Sequence, residues 1–133
     1  MFASVQDVPA VARTVMVQLT AGSGHFSRSV SDLLLYEPFA LGYAIGFAEN
    51  AAHYAQGDVR NQVDPDFLHK VIGFILGNLC VADSFVSFAA SKRGDRVFEG
   101  GYDAGLRDMD AWYKSGGEKQ PNRLVLYLNA AQP

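Results

Sequence analysis

Glu49, His53, Cys80 and Asp108 are the residues of this chain whose types and spacing could do chemistry. Glu49 and His53 stand four positions apart, which places both on one side of a helix turn. A carboxylate so placed can orient an imidazole for proton transfer, or form half of a metal site with it. Cys80 and Asp108 would add a thiol and a second carboxylate if their helices cross near Glu49. Such a cluster defines one reading, a small helical enzyme or metal-binding protein centred on these four residues.

The surrounding patterns do not reinforce it. The chain has no HExxH, no pair of ExxH segments and no Cys or His pair at zinc spacing. His25 and His69 are the other two histidines. Ala21-Gly22-Ser23-Gly24-His25 lacks the lysine of a phosphate-binding loop. Gly22-Ser23-Gly24 is no nucleophile elbow, which needs glycines two residues either side of the serine. The simpler reading makes Glu49 and His53 a solvated helix pair and Cys80 a small packed residue. No metal and no cofactor are expected.

The elements that must position these residues carry a repeated phrase. Gly42-Tyr43-Ala44-Ile45-Gly46, Gly73-Phe74-Ile75-Leu76-Gly77 and Gly101-Tyr102-Asp103-Ala104-Gly105 begin 31 and 28 residues apart. With 13 glycines and 15 Phe or Tyr among 133 residues, chance supplies roughly 0.15 such pentapeptides. Glycine inside a helix costs about 1 kcal/mol relative to alanine, so paired glycines imply close backbone approach. Helical spacing extends the three faces to Glu49, His53 and Gln56, to Cys80, Ser84, Ser87 and Ser91, and to Asp108 and Trp112. The middle face is small throughout, which marks the helix over 73–91 as the expected centre of the fold. Tyr43 and Tyr102 should cover crossing points with their hydroxyls near solvent or a partner, and Trp112 and Tyr113 form a candidate aromatic anchor.

Element boundaries follow from caps and breakers. The first helix spans Asp7 to Thr20 with Pro9 in its first turn and Gly22 past its end. Ser29-Val30-Ser31-Asp32 opens a short helix that Pro38 stops, and a second long helix runs to Gln56 before Gly57. After a polar loop over 58–63, Asp64-Pro65-Asp66 starts a third helix reaching Ser91 and closed by Lys92-Arg93-Gly94. Asp95 caps a fourth, which ends at Lys114 before Ser115-Gly116-Gly117. Residues 14–20 and 124–128 alternate like strands and form a candidate terminal β pair, although 14–20 also fits the first helix.

Composition bounds the class. At 49% apolar and 19% charged the chain is globular, and 133 residues form one domain, 1–133. A net charge of −3 with no basic face argues against nucleic acid. One cysteine forms no internal disulfide, which favours a reducing compartment. The first residues lack a signal-peptide pattern, and the apolar run 71–90 is broken by Asn78, Asp83, Ser84 and Ser87, so a cytoplasmic protein off the membrane is expected.

The expected fold is mainly α: one bundle of four to five helices packed through glycine seams. The expected function is non-catalytic protein–protein binding, as an inhibitor, immunity-type or adaptor protein, with homodimer formation through an open glycine seam or by pairing of 124–128 as strands. Its binding candidates are Tyr43, Tyr102, Trp112 and Tyr113. An apolar-ligand carrier lined by Phe67, Phe74 and Phe85 is a further reading.

Overall fold

A computed structural model describes residues 8–26, 30–55, 67–77 and 82–131. They form seven helices and no strand: α1 (Val8–Phe26), α2 (Val30–Tyr36), α3 (Pro38–Ala55), α4 (Phe67–Leu76), α5 (Ala82–Ser91), α6 (Arg96–Lys114) and α7 (Arg123–Ala131). The fold is mainly helical. Asp7, Ser29, Gln56, Gly57, the 58–63 loop, Asp64-Pro65-Asp66 and Cys80 lie outside the described residues. So do the side chains of His25, His53 and Phe67.

α3 and α6 make the most extensive helix pair, and the other helices pack around them. Glycine is the reason they approach so closely. A Cβ on Gly42 would collide with the Phe98 carbonyl, and one on Gly101 with the Phe39 carbonyl. The same exchange holds one turn on, between Gly46 and the Tyr102 carbonyl and between Gly105 and the Tyr43 carbonyl. Backbone therefore lies on backbone over two turns, a distance that any side chain would widen.

The second glycine of the remaining phrase behaves differently. α4 ends at Leu76, and Gly77 takes φ +75°, a left-handed conformation typical of helix ends. A Cβ at Gly77 would meet nothing within 4 Å. The continuous 64–91 helix expected from the sequence is therefore broken, and its row of small residues does not form one stripe. The centre of the molecule is the α3–α6 pair.

The proposed β pair is replaced by helices. Residues 14–20 lie inside α1, where Val11, Ala12, Val15 and Leu19 are fully buried while Val17 is 68% exposed. Residues 124–128 lie inside α7, where Leu124 and Leu128 are fully buried and Leu126 is 58% exposed. A strand would have buried positions 15, 17 and 19, or 124, 126 and 128, together. Burial at four-residue spacing wins because these segments lie on a helical core. α1 also runs on through Gly22 and Gly24, so Gly22 does not end it.

Helix ends around α6 follow the sequence closely. Asp95 accepts hydrogen bonds from the Val97 and Phe98 amides, both at 3.0 Å. Gly116 and Gly117 close the other end at φ +69° and +90°. Arg93 folds back across the α5–α6 turn to hold Glu99 through two nitrogens, at 2.8 and 3.1 Å.

Candidate functional site

The crossing of α3 and α6 joins two copies of one sequence phrase. Phe39, Gly42, Tyr43, Gly46, Phe47 and Glu49 recur as Phe98, Gly101, Tyr102, Gly105, Leu106 and Asp108, at a constant offset of 59 residues. The two copies face each other reciprocally. Tyr43 of the first donates its hydroxyl hydrogen to Asp108 of the second, at 2.6 Å. Tyr102 of the second donates to Glu49 of the first. The glycines set this exchange: with backbones in contact, each phenol ends on the carboxylate about one turn beyond the glycine that its own backbone meets.

The two halves differ in burial. Tyr43 is fully buried and Asp108 is only 4% exposed. Gln18 of α1 donates its amide to the Tyr43 hydroxyl at 2.8 Å. Asp108 also accepts from the Arg123 guanidinium at 2.6 Å and from the Arg123 amide at 3.0 Å. The Gln18 carbonyl accepts from the amides of Leu124 and Val125, each at 3.1 Å. The first three amides of α7, which have no partner within their own helix, are thus capped by side chains from α1 and α6. The carboxylate also sits at the positive end of the α7 dipole. Burial, followed by the hydrogen bond to Asp108, pushes the Tyr43 phenol well above its usual range and keeps it neutral.

The Glu49–Tyr102 half is open. Both residues are partly exposed, and the Arg93 guanidinium lies 4.3 Å from the Tyr102 ring centre. Partial burial, then the bond to Glu49, raises the Tyr102 phenol. A cavity of about 160 Å³ adjoins this half, bounded by Ile45 and Glu49 of α3, Val86, Ala89 and Ala90 of α5, and Arg93 and Phe98.

Glu49 and Asp108 are thus held in two separate phenol–carboxylate pairs, not in one cluster. Among the described residues no three His, Cys, Asp or Glu side chains converge to hold a metal. The pairing of each tyrosine with the other copy's carboxylate was missed by sequence reasoning. Its signal was available in the register of the repeat, where an acid follows each second glycine by three positions.

The remaining candidates divide. Trp112 is 6% exposed and packs on Phe47 at 5.7 Å between ring centres, whereas Tyr113 is 40% exposed. Trp112 also borders an open groove of about 430 Å³, with Arg13, Thr14 and Val17 of α1 on one wall and Gln120 and Pro121 on the other. Phe74 is 41% exposed on α4. His69 contacts Asp83 at 3.0 Å, linking α4 to α5.

Comparisons with models of protein families, with curated proteins and with solved structures give no match. No helix among the described residues is long and apolar enough to cross a membrane.

Proposed function

We propose that this chain is a small non-catalytic protein acting by protein–protein binding, as an inhibitor, immunity-type or adaptor protein, and that it self-associates. One observation carries the reading. Val17 is 68% exposed in the middle of α1 and lines the groove beside Trp112 and Pro121. An apolar side chain beside a concave surface offers a partner segment a contact to cover. The carboxylate best able to do chemistry, Asp108, is instead committed to Tyr43, Arg123 and the start of α7.

The bundle, packed through its glycine contacts, is the rigid frame for that surface. A cytoplasmic setting belongs to the same proposal, supported by the single cysteine. The net charge of −3 supports a protein partner over nucleic acid. Self-association through pairing of 124–128 as strands is not part of it, because those residues are helical.

The test places a photo-cross-linking amino acid at Val17 and combines it with light scattering after size exclusion at tens of micromolar. A dimer mass with Val17 cross-linked to a second copy supports self-association, and a monomer mass without that cross-link sinks it. Cross-linking in the source cell that yields no protein adduct at Val17 sinks the binding reading at this groove.

A further inference from the structure

The repeated phrase supplies its own template for a ligand. Glu49 holds in α3 the place that Asp108 holds in α6, and each accepts a phenol hydrogen from the opposing copy. Asp108 is completed by a guanidinium, that of Arg123, at 2.6 Å. Among the described residues, Tyr102 is the sole hydrogen-bond partner of Glu49, and the space beside Glu49 is the 160 Å³ cavity.

We propose that this cavity receives an arginine side chain from a protein partner, whose guanidinium pairs with Glu49 as Arg123 pairs with Asp108. The inference rests on the binding-protein reading and names the chemistry of the partner. Ile45, Val86 and Ala89 offer apolar walls to the three methylenes of an arginine stem, and the Phe98 ring also borders the space. Arg93 stands at the same cavity, yet two of its nitrogens are held by Glu99. The charged residues lining the cavity are Glu49 and Arg93; the Arg93 guanidinium lies over the Tyr102 ring and is paired with Glu99, whereas Glu49, among the described residues, holds a single phenol. A planar fork suits a carboxylate already holding one phenol, because its nitrogens can take the remaining lone pairs.

The test follows amide shifts of the isotope-labelled protein by NMR on titration with n-butylguanidinium, an arginine side-chain mimic, and separately with pentanoate. Saturable shifts confined to residues 45–49 and 86–93 with n-butylguanidinium are expected. Glu49→Gln should weaken that binding at least tenfold, and Asp103→Asn, on the exposed face of α6, should leave it unchanged. Ala90→Leu, which narrows the cavity and keeps the carboxylate, should abolish it, and this keeps the test decisive if Glu49→Gln does not fold. Absent saturation, stronger binding of pentanoate, or unchanged affinity in Ala90→Leu would overturn the proposal. These results are independent of cross-linking at Val17, which lies on the other groove, so failure here leaves the binding reading to be judged by that experiment.

Discussion

The Tyr43 hydroxyl lies 2.6 Å from an Asp108 carboxylate oxygen, and this bond joins the two central helices at a point closed to solvent. Through Gln18 on one side and Arg123 on the other, it also ties in α1 and α7. One phenol thereby stands at the meeting point of four helices, α1, α3, α6 and α7. Its counterpart, Tyr102 on Glu49, makes the same contact at the surface and holds fewer neighbours.

Tyr43→Phe removes the acceptor of the Gln18 amide and one donor of Asp108. Leaving buried polar groups unpaired should lower stability by about 1–3 kcal/mol. Tyr102→Phe, at the more exposed pair, should lower it by about 0.5–1 kcal/mol. Urea unfolding midpoints of the two variants check the order.

High pH should act through the same group. The folded state holds the Tyr43 phenol above its unfolded value of about 10, so between those values the folded protein binds the extra proton. Its contribution is complete below about pH 10 and is lost as pH rises beyond it, at about 1.4 kcal/mol per pH unit. Stability measured from pH 8 to 11.5 should therefore fall less steeply above pH 10 in Tyr43→Phe than in the parent protein. The raised phenols of Tyr102 and Tyr127 remain in both proteins and drop out of the difference.

Glycine at the crossing is a packing requirement. Gly46→Ala and Gly105→Ala drive a methyl group into the opposing main chain. Each should lower stability by about 1–3 kcal/mol or more, since backbone cannot move aside as a side chain would. Gly100→Ala, where a Cβ meets nothing within 4 Å, should raise stability by up to about 1 kcal/mol. Thermal unfolding of the three variants separates the two effects.

Gln18 should matter to a helix more than a hundred residues away. Gln18→Ala uncaps the Leu124 and Val125 amides and leaves the Tyr43 hydroxyl without its donor. A loss of about 2 kcal/mol or more is expected. Hydrogen exchange should speed at Leu124 and Val125 well before it changes within α6.

What the amino-acid sequence determined by itself is local. Asp95 before α6, Pro38 at the start of α3 and the glycines after Lys114 mark helix ends through backbone chemistry acting within a few residues. Paired glycines in α3 and α6 announce a close crossing, because nothing else recovers their cost in a helix. Local pattern does not choose where two periods fit the same residues. Val15, Val17 and Leu19, like Leu124, Leu126 and Leu128, satisfy a strand pattern until a helical core buries positions four apart and leaves Val17 and Leu126 outside. Gly73 and Gly77 carry the same phrase as the other two pairs, yet Gly77 ends a helix. A glycine's permissive backbone serves a turn as well as a contact, and only its surroundings choose.

The tertiary structure alone decided which residues meet. Equal spacing from the glycines groups Glu49 with Asp108, whereas the reciprocal crossing assigns each to the other copy's tyrosine. That assignment depends on the relative direction and register of α3 and α6, which no local property of either helix specifies. The burial of Tyr43 and the openness of Glu49 follow from where α7 and α5 come to rest on that crossing.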